Sequence, residues 1–64
     1  MTSVQDQITV LLVDDHQLIR EGLRRAFDRA GDVEVVGEAA TGDEAVDALH
    51  RLSPDVLVTD VRLP

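Results

Sequence analysis

At 64 residues the chain is at most one domain, and a chain of this size buries only about 60% of its unfolded surface, so its core is small. It has no cysteine, which excludes a disulfide framework and a thiolate metal site as reinforcement and fits a reducing compartment. Thirteen acidic residues against six arginines and no lysine give a net charge of −7, a balance that repels both nucleic acid and anionic membrane and argues against direct DNA contact by this segment.

The opening residues, MTSVQDQ, are polar and carry no basic n-region, and no apolar run nears the roughly 18 residues that span a bilayer. The chain therefore reads as soluble and cytoplasmic, with no membrane partner. Ile8 to Val13 form a continuous apolar, β-branched run without polar alternation, the pattern of a strand covered on both faces, as in parallel sheets. That run stops at Asp14-Asp15. From Gln17 to Ala30 the residues Leu18, Ile19, Leu23, Ala26, Phe27 and Ala30 recur at helical spacing, with Arg20, Arg24, Arg25 and Asp28 expected on the opposite, solvated side. Gly31 is the expected helix stop.

Val33 to Ala39 predicts a second strand, and Thr41-Gly42-Asp43-Glu44 has the form of a capping box opening a second helix. Ala45, Val46, Leu49 and Leu52 are its expected apolar stripe, and Ser53-Pro54 ends it because a residue before proline is pushed out of the helical region. Val56 to Asp60 is the third predicted strand. The order β-α-β-α-β belongs to α/β folds with a parallel sheet, and right-handed crossovers with one helix on each face give the strand order 2-1-3.

In open parallel sheets, ligands sit beyond the carboxyl ends of the strands where the strand order reverses. Asp14 and Asp15 follow the first strand and Asp60 closes the third, so three carboxylates are expected to converge there. Their mutual repulsion is hard to tolerate in so small a protein without compensation. A hard divalent cation supplies it, and oxygen-only ligands favour Mg²⁺ over zinc. Local uses compete with this reading: Asp14 or Asp15 as a helix cap, and Asp60 as a solvated strand end. His16, after the acidic pair, is read as an exposed residue at a helix start rather than a ligand or base, and His50 as solvated. The arginines at 20, 24, 25 and 29 are read as a solvated face balanced by Glu21 and Asp28.

Three stretches, VLLVDDHQLIREGL, VVGEAATGDEAV and PDVLVTDVRLP, together resemble the first half of a response-regulator receiver domain over the whole chain. The resemblance implies a flavodoxin-like, doubly wound parallel sheet of which residues 1–64 are the N-terminal part, truncated after the third strand and without an output domain. The DDH and VVGEA wording is similar to regulators that carry a C-terminal LuxR-type helix-turn-helix. Asp60 is thereby implied as the phosphoacceptor for a sensor histidine kinase or a small phosphodonor. Asp15 and Asp60 are implied as direct Mg²⁺ ligands, Asp14 as a ligand through water, and the backbone carbonyl of Arg62 as a further ligand.

The implied role is that of an acceptor in two-component signalling, not a turnover enzyme, with transcription control in a longer parent. The switch Ser/Thr and the phosphate-binding Lys of the family fall beyond Pro64. Two rivals stand beside this reading: a Mg²⁺-dependent phosphohydrolase using the same carboxylates, and an interaction fragment that is never phosphorylated. The uncharged, β-branched run Val56-Leu57-Val58 is also expected to promote self-association when the third strand is left as an edge.

Overall fold

The computed structural model describes residues 7–60. The elements follow the expected order: β1 (Ile8–Val13), α1 (Gln17–Ala30), β2 (Val33–Ala39), α2 (Gly42–Leu52) and β3 (Val56–Thr59). The strands form one parallel sheet in the order β2-β1-β3. β1 is therefore the central strand, and its side chains alternate between two separately covered faces. Leu11 and Val13 pack with Ala39, Ala45, Ala48 and Leu52 beneath α2. Val10 and Leu12 pack with Val35, Leu23, Phe27, Val33 and Val58 on the α1 face. Leu11 and Leu12 are fully buried, and side chains of this kind each contribute about 1.5 to 3 kcal/mol on burial.

The helix boundaries have local causes. α1 ends at Gly31, whose φ of 83° is the left-handed conformation that glycine adopts without a Cβ penalty. At the start of α2 the Thr41 hydroxyl accepts the Glu44 N–H at 3.2 Å. Glu44 reaches back to the N–H of Ala40, at 2.8 Å, one residue beyond the N-cap that an ideal capping box would engage. Ser53 does leave the right-handed helical region before Pro54, but into the left-handed one (φ 45°), with its N–H donating to the Leu49 carbonyl.

The helical stripes are narrower than the sequence reading drew them. On α2, Ala45 and Ala48 are buried and Leu52 packs on the core, whereas Val46 and Leu49 lie on an exposed flank. On α1, Leu23 and Phe27 face the sheet, while Leu18 is 81% and Ile19 51% exposed. Arg20 and Arg24 share the face of Leu23 and Phe27, at i, i+3, i+4 and i+7, so the solvated face assigned to them is corrected: both reach Glu38 on β2.

A shift of register brings Glu38 to that face. Val10 pairs with Val35 but Leu11 pairs with Gly37, so Val36 is an extra residue in β2. A one-residue offset exchanges the two faces of a strand. Val33 and Val35 point to α1, as strict alternation would have it, and after Val36 the parity inverts. Gly37 and Ala39 then lie under α2, and Glu38 turns toward α1. A Cβ on Gly37 would stand 2.6 Å from Leu52 Cδ1, so the glycine here serves close packing, not an unusual φ. At the opposite end of the sheet, Asp55 ties β3 to β1. Its carboxylate accepts the Thr9 N–H at 2.9 Å and the Thr9 hydroxyl at 3.1 Å, and its own N–H donates to the Thr9 carbonyl.

Arg20 Nε donates to one Glu38 oxygen at 2.8 Å and Arg24 Nε to the other at 2.9 Å. The hydrogen bond from Arg20 is the main cause that holds the Glu38 carboxyl below its ordinary range, with Arg24 adding to it. A carboxyl with a depressed folded pKa contributes stability that is complete above the unfolded value of about 4.3 and is lost as pH falls through the folded value. Glu38→Gln is therefore expected to cost about 1 kcal/mol near neutral pH and to flatten the fall in stability below about pH 4 to 5. Urea unfolding of both proteins from pH 7 to pH 3 checks this; parallel pH profiles would show that the clamp does not contribute.

Candidate functional site

The site lies where the chain leaves β1 and β3. Asp14 continues the β1 ladder by donating its N–H to the Ala39 carbonyl at 3.0 Å, and Asp60, one residue past β3, donates to the Val13 carbonyl at 3.1 Å. Parallel pairing of adjacent strands in register, Val13 opposite Thr59, thus fixes the two aspartates side by side. Asp15 lies in the short turn between β1 and α1. Asp14, Asp15, His16 and Asp60 each place a ligand-type atom within 4.8 Å of the others. Arg62, the fourth expected ligand through its carbonyl, lies outside the described residues.

Asp14 is 9% exposed and is well supplied with partners. Its Oδ1 accepts the His16 backbone N–H at 2.8 Å, the interaction that does most to hold its carboxyl below the ordinary range, with the His16 ring and then the Arg20 charge acting in the same direction. The Asp14 carbonyl accepts a hydrogen bond from the Arg20 guanidinium.

His16 Nδ1 lies 2.9 Å from Asp14 Oδ1 and 2.8 Å from Asp15 Oδ1. Carboxylates only accept, so Nδ1 carries the proton. The hydrogen bond to Asp14, followed by the charge of Asp15, raises the pKa of His16. Sequence reasoning placed His16 at a helix start, and it is the N-cap of α1 with an exposed side chain, but its proximity to both carboxylates went unforeseen. The available signal was its position directly after the acidic pair.

An open cleft of about 280 Å³ lies among Asp14, His16, Ile19 and Asp60. That is ample room for a cation that retains part of its hydration shell. The Asp14 and Asp60 carboxylates line the cleft, and Asp15 places a third within 4.8 Å of them, a donor set that suits a hard divalent cation that keeps several waters. They also offer a carboxylate nucleophile beside a centre of charge neutralisation. No cysteine contributes, and a single imidazole on the rim makes a poor zinc site.

Residues 10–64 match the family described as the response regulator receiver domain. The transcriptional regulatory protein BtsR of Salmonella typhi is 49% identical over 57 residues, covering 89% of this chain and 24% of BtsR. Among solved structures, the signal receiver domain of the putative response regulator NarL from Mycobacterium tuberculosis superposes with a TM-score of 0.87 at 42% identity, covering 92% of this chain and 48% of that one. CheY6 from R. sphaeroides, in complex with the P1 domain of CheA3, matches with a TM-score of 0.84 at 31% identity, covering 92% of this chain and 46% of that one. The chain spans between about a quarter and 29% of the length of the curated relatives it matches first. With its three-stranded parallel sheet, the acidic cleft at the carboxyl end of β1 and β3, and these likenesses, the chain belongs to the response-regulator receiver family.

Proposed function

We propose that the chain is a phosphoacceptor module of a two-component response regulator and that Asp60 receives the phosphoryl group. The observation that carries the proposal is the placement of the Asp60 carboxylate within 4.8 Å of Asp14, Asp15 and His16 at the switch point of the sheet. Asp14, Asp15 and Asp60 are the residues that would hold Mg²⁺, with the Arg62 carbonyl as a further ligand outside the described residues. Bound there, Mg²⁺ supplies charge neutralisation between an anionic nucleophile and an anionic phosphoryl group.

An Asp60 oxygen attacks phosphorus in line. A P–O bond forms to Asp60 as the P–N bond of a phosphohistidine breaks, and the leaving imidazole nitrogen keeps the electron pair and takes a proton from solvent. The product is an aspartyl phosphate. The reaction is one transfer per chain, so the module acts as an acceptor and not as a turnover enzyme.

The partner proposed is a sensor histidine kinase, in keeping with the likeness to CheY6, which is found with the P1 domain of CheA3. DNA contact and transcription control belong to another domain of a longer parent, in keeping with the name of BtsR and with the net charge of −7. Among the described residues no helix is long and apolar enough to cross a membrane, which accords with a cytoplasmic site of action.

Acetyl phosphate is expected to label Asp60 in a parent protein that contains this module, and Asp60→Asn to abolish labelling. Borohydride trapping followed by mass spectrometry locates the adduct; an adduct on Asp14 or Asp15 would overturn the assignment. A second expectation concerns β3, which among the described residues pairs only with β1 and leaves Val56 and Leu57 each 43% exposed. An apolar, uncharged edge strand invites pairing with a second copy. Sedimentation of the 64-residue chain should show self-association at high micromolar concentration, with Val56 to Val58 amides gaining protection as concentration rises. A monomer whose β3 amides are already strongly protected would contradict it.

A further inference from the structure

We infer that Arg20 is a positioning residue for the acidic cleft: it clamps the Asp14 peptide between α1 and β2 and so sets the direction of the Asp14 and Asp15 carboxylates. The inference rests on the metal-site reading above for its functional consequence, but on geometry alone for its structural part.

Arg20 is unusually well enclosed for a helix-surface arginine, with its side chain 15% exposed. One edge of its guanidinium is fixed by Glu38 on β2, at 2.8 Å. The other donates to the Asp14 carbonyl. The Asp14 N–H is meanwhile bound to the Ala39 carbonyl at 3.0 Å, so the main chain of Asp14 is held on both sides, by β2 directly and by β2 through Glu38 and Arg20. The carboxylate of Asp14 is held in turn by the His16 N–H. A planar guanidinium with several donors can serve the carboxylate and the carbonyl at once, whereas the point charge of a lysine ammonium does not reproduce that fork. Groups one step removed from a metal orient its ligands, and their loss typically costs about 10- to 100-fold in metal affinity.

Arg24 supplies an internal control. It binds the other oxygen of Glu38, at 2.9 Å, carries the same charge on the same helix face and is 42% exposed, and it pairs with Glu38 and not with the β1–α1 turn. Two roles for Arg20 predict opposite signs. If its charge were all that mattered, removing a cation near a cation site would tighten Mg²⁺. If its role is to position the turn, removing it loosens Mg²⁺ despite the gain in negative charge.

The test is a Mg²⁺ titration of the chain followed by amide resonances, for the wild type, Arg20→Gln, Arg20→Lys and Arg24→Gln, each verified as folded by a dispersed spectrum. Arg20→Gln is expected to weaken Mg²⁺ binding about tenfold, Arg20→Lys to recover only part of the loss, and Arg24→Gln to bind as the wild type does or slightly more tightly. Unchanged or tighter binding by folded Arg20→Gln overturns the inference.

The metal-free spectra form a second, independent arm. Arg20→Gln should shift the Asp14, Asp15 and His16 amides and speed their hydrogen exchange, beyond anything Arg24→Gln does. If the two variants perturb those three amides equally, the clamp does not exist. A wild-type chain that fails to respond to Mg²⁺ refutes the metal reading and not the clamp, which the metal-free arm then decides by itself.

Discussion

The central position of β1, paired in parallel with both neighbours, is the constraint on which the rest of the molecule depends. A parallel neighbour on each side aligns three carboxyl ends at one edge of the sheet, and crossover helices cover both faces. Val10, Leu11, Leu12 and Val13 are all buried because each side of the strand has its own helix. The acidic residues come immediately after this most buried stretch. Their repulsion cannot be relieved by moving the strand ends apart without unpairing β1 from β3. The structure offsets part of the repulsion locally, around Asp14 and Asp15: the His16 ring bridges the two, and the Arg20 charge lies close to Asp14.

The extra residue at Val36 connects the core to that site. By inverting the alternation of β2 it puts Gly37 and Ala39 beneath α2, with Gly37 against the Leu52 side chain, and turns Glu38 toward α1. Only in that register does Glu38 meet Arg20 and Arg24, and through Arg20 the turn that carries the acidic pair. One irregularity in an edge strand thus serves both packing and electrostatics. The polar chain from Glu38 to Asp14 runs along the α1 side of the sheet, next to the apolar contacts of Leu23 and Phe27.

Much of this was legible in the sequence where the physics is local or periodic. The unbroken apolar run of Ile8 to Val13 gave the central strand, Gly31 the end of α1, and Thr41 with Glu44 the start of α2. The convergence of Asp14, Asp15 and Asp60 followed from strand order alone. What escaped depends on tertiary register. No periodicity shows that β2 carries an extra residue, so nothing in the pattern pairs Glu38 with Arg20 and Arg24. The reach of the His16 ring to two carboxylates is likewise a product of the turn geometry after β1, not of residue type. Apolarity in α2 marks a face wide enough to include Val46 and Leu49, while only the part occupied by Ala45, Ala48 and Leu52 meets the sheet.

The central claim is that the carboxylates of Asp14, Asp15 and Asp60 form an electrostatically strained site that a divalent cation relieves. Thermal unfolding with and without millimolar Mg²⁺, for the wild type and Asp15→Asn, tests it most directly. A ligand that binds only the folded state raises its stability, so Mg²⁺ should raise the melting temperature of the wild type. Asp15→Asn removes a ligand and one negative charge together; it should melt no lower than the wild type without Mg²⁺ and gain nothing from adding it. A wild-type transition indifferent to Mg²⁺, or an Asp15→Asn variant that responds as the wild type does, would contradict the account.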